Sequence, residues 1–306
     1  ISMNENIEQM VNENTYSEID LKNIFKNLFE SKFTIFTISS LFAIFSIIYS
    51  LYLPNIYQSQ ALLAPVQERQ SSMSSFGQAA NLASLAGISL GSSSAGDKSV
   101  EAIERIKSFD FFSKFFLPSI KLEDLMAVDS WNNSNNQLLY EEDSFDSDKN
   151  VWLTGIPSEQ QAYGKYREKM SISQDKKTSF VTISIKHKSP NIAKRWTENI
   201  IEEINRSMRE EEKNKVTNSI EFLNNQISSV NYNEIKQSIS SLLEEQMKSL
   251  MLIEADENYI FKVISSPISP EKKSEPRRSI IVMLATFFGF ILSIIYVLIF
   301  KSKSKK

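Results

Sequence analysis

Glu141, Glu142, Asp143, Asp146 and Asp148 place five carboxylates within eight positions, a density that suits a divalent cation. Asp146-x-Asp148-x-Asn150 resembles the opening of a calcium-binding loop. Its sixth position is Val151, where glycine is needed, and its twelfth is Pro157, where a bidentate glutamate is needed. The cluster is therefore expected to be a solvated loop. His187 is the only histidine in the chain and follows a strand end. Acid–base or metal chemistry would require partners that the sequence does not supply, so a structural or surface role is expected. There are no cysteines, which removes disulfides, thiolate metal sites and cysteine nucleophiles. Phosphate-loop, nucleophile-elbow and His-Glu-x-x-His patterns are absent from the sequence. No catalytic residue, metal site or cofactor site is expected, and the chain does not read as an enzyme.

The residues with positional logic are small side chains and prolines, and two apolar runs must position them. Phe33 to Leu53 and Ile280 to Phe300 contain no Asp, Glu, Lys, Arg or His, and each is long enough to cross a hydrocarbon core needing ~20 helical residues. Ala285, Gly289 and Ser293 lie four apart in the second run. Ser39 and Ala43, and Ser46 and Ser50, do so in the first. Such spacing lets helices approach closely in lipid. Replacing Gly289 with Leu is expected to weaken assembly or activity if the second run packs through this face. Leu53-Pro54-Asn55-Ile56 offers no small-residue cleavage site, so the first run reads as an uncleaved anchor. Met3 reads as the natural start.

Lys22, Lys26 and Lys32 precede the first run, and Lys301, Lys303, Lys305 and Lys306 follow the second. Short basic flanks mark the cytoplasmic side, so both termini are expected there and the middle on the other side. Arg277 and Arg278 oppose this mildly and are expected to snorkel to headgroups. The net charge of −3 over 306 residues argues against a nucleic-acid binder.

Ile19, Leu21, Ile24, Phe25, Leu28 and Phe29 suit a short amphipathic helix or an extension of the first span. Tyr57 to Val66 reads as a strand, and residues 71–98, rich in Ser, Ala and Gly, as a mobile loop with a weak apolar centre from Leu82 to Leu90. Glu101 to Phe116 has helical spacing, residues 129–150 read as a loop, and Ser158 to Lys169 is helix-like. Met170 to Gln174 and Phe180 to Lys186 alternate around Asp175-Lys176-Lys177-Thr178, which predicts a hairpin with Val181, Ile183 and Ile185 on one face.

Pro190 opens a long helical stretch. Ala193, Trp196, Ile200, Ile204 and Met208, then Val216, Ile220, Leu223, Ile227 and Val230, recur at three- and four-residue steps without glycine or proline. About 40 residues make a rod of about 60 Å. Its polar middle, Arg209-Glu210-Glu211-Glu212-Lys213, suits either water or a neighbouring copy. Asn231-Tyr232-Asn233 marks a turn, a second helix runs from about Glu234 to Ala255, and Tyr259 to Ile264 alternates as a final strand.

The expected fold is an α+β membrane protein. Two transmembrane helices, 33–53 and 280–300, flank a domain at 54–279 with a small sheet-containing base (54–190 and 256–266). A long projecting helical hairpin (191–255) and a Pro-rich linker (267–279) complete it. Tails of 1–32 and 301–306 stay cytoplasmic and hold no kinase domain.

In this order the segments resemble the O-antigen chain-length determinant (Wzz-like) family of polysaccharide co-polymerases. The resemblance is carried by Tyr57-Gln58-Ser59-Gln60-Ala61-Leu62-Leu63 after the first span. It continues in Asn81-Leu82-Ala83-Ser84-Leu85-Ala86-Gly87-Ile88 leading to Glu101-Ala102-Ile103-Glu104-Arg105-Ile106-Lys107-Ser108. Val181-Thr182-Ile183-Ser184-Ile185, Pro190-x-x-Ala193, Trp196, Glu244-Glu245-Gln246-Met247-Lys248 and Tyr259-x-Phe261-Lys262-Val263-Ile264 follow, then the prolines before the second span. Pro267, Pro270 and Pro276 match the family's proline-rich segment, which is implicated in function together with the second span. Here Glu271-Lys272-Lys273-Ser274-Glu275 interrupts it, a departure from the family's pattern that leaves the rigidity of the segment open.

The resemblance implies a bacterial inner-membrane protein with a large periplasmic domain, cytoplasmic termini and a ring-like homo-oligomer. Its expected role is non-catalytic: it sets how many units the membrane polymerase adds to a lipid-linked polysaccharide. The expected partners are further copies of the chain, the polymerase, the lipid-linked polysaccharide and the bilayer, and not nucleic acid. The alternative is a membrane adaptor of a cytoplasmic tyrosine kinase in capsule or exopolysaccharide export. A sensory anchor lacks an output domain, and a hydrolase or glycosyltransferase lacks paired catalytic groups.

Overall fold

The computed structural model describes residues 28–66 and 95–301. Most of the expected amphipathic helix, the stretch from 67 to 94 with Asn81–Ile88, and Lys22, Lys26, Lys303, Lys305 and Lys306 lie outside them. The chain divides into two units, one of residues up to Leu53 with those from Pro276 onward, the other of Pro54–Glu275.

Among its described residues the first unit holds a pair of long helices, α1 (Lys32–Tyr52) and a last helix (Arg278–Tyr296) that continues as a π turn over Val297–Lys301. Both are long and apolar enough to cross a membrane, with mean hydropathies of 1.9 and 2.6. They pack side by side, while Phe33, Phe36, Phe45, Met283 and Phe288 remain exposed.

In the second unit β1 (Tyr57–Pro65) leads to α2 (Ala95–Lys107). The helix expected over Glu101–Phe116 starts earlier and breaks at Ser108. Three groups from a neighbouring helix end it. Tyr166 Oη donates to the Ile106 carbonyl at 2.8 Å, and Tyr163 Oη and Arg167 Nη1 donate to that of Lys107 at 2.5 and 2.9 Å. These satisfy carbonyls that a helix end leaves free. Ser108 then turns extended and its Oγ accepts from Phe111 N, which restarts a short run ending in a π turn over Phe112–Phe116.

The segment expected as a loop over 129–150 holds two small hairpins, β2 (Val128–Asn132) with β3 (Gln137–Tyr140), and β4 (Phe145–Asp146) with β5 (Val151–Trp152). Long-range aromatic contacts favour strands in so polar a stretch. Trp131 meets Tyr57 edge-on at 5.4 Å, and Phe145 meets Tyr140 at 5.3 Å and Trp152 at 5.1 Å. Asp146 here organises a turn: its Oδ1 accepts from Asp148 N and Lys149 N, and Lys149 Nζ pairs with Oδ2 at 2.9 Å. These bonds, led by Lys149, hold the Asp146 carboxyl below the usual range. Among the described residues no group of His, Asp and Glu is arranged to hold a metal.

α3 (Glu159–Lys169) starts on a capping box, Ser158 Oγ accepting from Gln161 N and Gln161 Oε1 from Ser158 N. It runs into β6 (Met170–Gln174) and β7 (Val181–His187), joined through Asp175, whose Oδ1 accepts from Lys177 N and Thr178 N. α4 (Pro190–Ser229) follows, 40 residues long and so about 60 Å. α5 (Asn233–Ala255) packs back along its far half. β8 spans Phe261–Ser265, starting two residues after the expected Tyr259; Ile260 N is taken by Asn205 of α4, and Tyr259 Oη accepts from Lys98 Nζ of α2 at 3.1 Å. The last helix of the chain is α6 (Arg278–Tyr296).

The sheet is antiparallel in order β6-β7-β1-β8, with Ile183 opposite both Ile172 and Ala61. Val181, Ile183 and Ile185 share one buried face, as their alternation requires. The near half of α4 lies over that face through Ile192, Trp196, Ile200, Ile204 and Met208, all buried in one core with Leu63, Phe116 and Phe261. The polar middle of α4 is partly used within the chain: Arg105 forks onto Glu211 and Glu101, and Lys213 pairs with Glu254 at 2.7 Å. These pairs are half-exposed, so each contributes ~1 kcal/mol or less.

Candidate functional site

The prolines of the expected site fall into both units. Pro267 is buried, while Pro270 and Pro276 are half-buried. Pro267, Pro270 and Pro276 each fix φ and carry no amide donor, and side chains and backbone from the sheet and the segments next to it hold the stretch between them. Ser59 Oγ donates to the Ile268 carbonyl at 2.8 Å, and Ser269 Oγ to Asn191 Oδ1 at 2.7 Å. The charged insert, which left the rigidity of the run open, is bonded to the start of the sheet. Ile56 N donates to the Glu275 carbonyl at 3.0 Å, and Ser274 N to the Ile56 carbonyl at 2.8 Å. Lys186 Nζ pairs with Glu275 at 2.6 Å and Lys273 Nζ donates to Asn55 Oδ1 at 3.1 Å.

Upstream of the prolines, Asn205 of α4 is 6% exposed and uses its whole carboxamide. Oδ1 accepts from Ile260 N and Phe261 N at 2.9 Å each. Nδ2 donates to the carbonyls of Ile201 and Phe261 at 3.1 Å each. The residue joins the long helix to the strand that leads to Pro267. Sequence reasoning missed it, although a lone amide between Ile204 and Met208 in an apolar stripe was a visible signal.

In the helix pair, Gly289 and Ser293 are buried on one face of α6, with Ala285 half-buried a turn away; Ser46 and Ser50 are buried on α1, with Ser39 and Ala43 half-buried. A Cβ at Gly289 would stand 2.6 Å from Phe42 Cβ, so the glycine is what admits the Phe42 side chain. Ser293 Oγ donates to its own helix at the Phe290 carbonyl, 2.6 Å. The small face is thus used by the chain's own first helix. Gly289→Ala is expected to cost about 1–3 kcal/mol of packing, read as a lower thermal midpoint in detergent; an unchanged midpoint would show that the pair is loose there.

His187 is buried and structural. Ser189 N donates to Nδ1 at 2.9 Å, which leaves Nε2–H to donate to the Asp124 carbonyl at 2.9 Å. Burial, then the charges of Lys169 and Lys188, outweigh the backbone bonds and push its pKa down to about 3. Burial likewise raises Asp124, against the hydrogen bond from Tyr140 Oη at 2.7 Å, and raises the Tyr140 phenol. A histidine that binds its proton more weakly when folded supports the fold above its unfolded pKa of ~6.5 and withdraws that support as pH falls toward the folded value. About 2 kcal/mol should therefore be lost between pH 6.5 and 5. Asp124 acts with the opposite sign, since its folded carboxyl takes a proton more readily. Denaturation of the parent and His187→Gln at both pH values isolates the histidine; equal slopes would refute its part.

None of these groups forms a nucleophile–base pair or an oxyanion site. Their arrangement is one of fastening: a strapped proline segment, an amide-clamped strand and a closely packed helix pair. Residues 17–116 match the family model of Wzz, described as chain length determinant protein. No curated protein matches the chain. Among solved structures, a full-length bacterial polysaccharide co-polymerase is 13% identical over 94% of this chain and 98% of that chain, with a TM-score of 0.42. A fragment of WzzB, a polysaccharide co-polymerase from Salmonella Typhimurium, is 16% identical over 72% of this chain and 100% of that chain, at 0.31. A variant of the Shigella flexneri lipopolysaccharide O-antigen chain-length regulator WzzBSF is 10% identical over 72% and 100%, at 0.24.

Proposed function

The chain is Wzz-like, and from that premise we propose that it sets the chain length of lipopolysaccharide O-antigen as a non-catalytic, oligomeric scaffold for a membrane polymerase. The carrying observation is the chain length determinant match over residues 17–116, which takes in the first apolar helix, β1 and α2. Two apolar helices support a two-pass inner-membrane protein, with termini cytoplasmic and residues 54–279 in the periplasm. Pro267, Pro270 and Pro276 are proposed to serve this function together with the second span. A rod of about 60 Å is suited to standing beside a growing polymer, with further copies completing a ring.

The test compares surface polysaccharide on gels from a deletion strain and its complement. Synthesis that continues with a scrambled length distribution, restored on complementation, is the expected result. An unchanged banding pattern would overturn the reading. A fall in total polymer together with capture of a tyrosine kinase would instead favour the adaptor role in capsule or exopolysaccharide export.

A further inference from the structure

At the N-terminal end of the helix pair an open groove of about 450 Å³ runs along α1. Leu28, Phe29, Ile35, Phe36 and Phe290 make it almost wholly apolar, and the small side chain of Ser39 leaves room at its inner end. Among the described residues that line it, the one charged side chain is Lys32. Its Nζ lies 5.2 Å from the Phe29 ring centroid and 5.8 Å from that of Phe33. From Lys32 to Ser39 α1 rises about 10 Å, within half of the ~30 Å hydrocarbon core. The groove therefore fits within one leaflet, charged at its outer end and apolar below. Side chains on a helix lean toward its N-terminus, which carries the Lys32 ammonium toward the headgroup level.

We infer that this groove holds an acyl chain of an anionic phospholipid whose phosphate rests on Lys32 Nζ. The inference depends on the membrane reading above. With the N-terminus cytoplasmic, Lys32 lies in the leaflet whose surface is negative, where one lysine is worth about a fivefold preference. A bound lipid would also cover Phe29 and Phe36, which are 75% and 73% exposed, and wedge the groove between the two helices.

The experiment reconstitutes the full chain in vesicles of phosphatidylcholine and phosphatidylglycerol, extracts it in mild detergent and measures retained lipid by mass spectrometry. Phosphatidylglycerol should be enriched about fivefold over its bulk share. Lys32→Gln should return the ratio to the bulk value, Lys32→Arg should keep the enrichment, and Ser39→Leu should reduce retained lipid of both kinds. Equal enrichment in the parent and Lys32→Gln would overturn the inference. So would displacement of phosphatidylglycerol by inorganic phosphate with Ser39→Leu unchanged, which would show a phosphate contact with no acyl groove. Release of the parent chain from vesicles by alkaline carbonate would overturn the membrane reading and the inference with it. Carbonate-resistant protein without headgroup preference would overturn the inference alone.

Discussion

Trp196→Ala is expected to lower the unfolding free energy by about 3–5 kcal/mol, the usual cost of emptying a large aromatic site in a close-packed core. The indole is 2% exposed and is held from two sides. Phe116 meets it edge-on at 5.6 Å and the His187 ring at 4.9 Å. Phe116 belongs to the π turn over Phe112–Phe116, and the indole shares one buried core with Ile183 and Ile185 of the sheet. The loss would appear as a lower midpoint in chemical denaturation of the full chain in detergent. Water admitted beside His187 should also raise its pKa, reducing the pH slope described above. Trp196→Phe, which keeps an aromatic ring in place, should lose less than half as much. A loss below about 1 kcal/mol for the alanine variant would mean that α4 is not held on the sheet through this residue.

Much of this architecture is visible in the amino-acid order because two periodicities carry it. The stripe Ala193, Trp196, Ile200, Ile204 and Met208 reads as a helix face and is buried as one. The alternation at Val181, Ile183 and Ile185 reads as a strand face and is buried as one. Periodicity is silent where a distant partner decides the local structure. The break at Ser108 follows from Tyr163, Tyr166 and Arg167, more than fifty residues away, which take the carbonyls that would have continued α2. The hairpins between Val128 and Trp152 depend on rings supplied by Tyr57 and by each other, in a stretch whose polarity alone argues for a loop. The small-residue face of α6 is legible at Ala285, Gly289 and Ser293, but its partner Phe42 is not, since spacing marks a close approach and not what approaches.

The charged insert in the proline run shows the same limit. Glu271 to Glu275 looks like a break in a stiff linker. In the fold, Glu275 returns to Ile56 and Lys186, and Lys273 to Asn55, at the start of the sheet. Composition does not show these returns, because they depend on residues at the start of the sheet. Upstream of the segment, Asn205 holds the long helix to the backbone of Ile260 and Phe261.

Asn205→Ala is accordingly expected to destabilise the second unit by about 2–5 kcal/mol, from buried groups left unpaired at ~1–3 kcal/mol each. Ile260 N and Phe261 N lose their acceptor, and the Phe261 carbonyl loses its donor. The Ile201 carbonyl can fall back on its helix. Asn205→Asp separates the two halves of this interaction. It keeps an acceptor for both amides but turns an oxygen toward the Phe261 carbonyl in place of the NH2 group. Its cost should therefore rise with pH as the carboxyl ionises in a dry site, whereas the alanine variant should show no such added slope. Hydrogen exchange gives the local readout: amides of Ile260 and Phe261 should exchange faster in the alanine variant and stay closer to the parent in the aspartate variant, while those of Ile183 and Ile185 in the middle of the sheet should follow only the global stability. Unaltered exchange at Ile260 and Phe261 would place the hold on β8 in its pairing with β1 alone. Faster exchange there, with the pairing between Leu63 and Val263 intact, would identify the amide as the latch between the long helix and the proline segment.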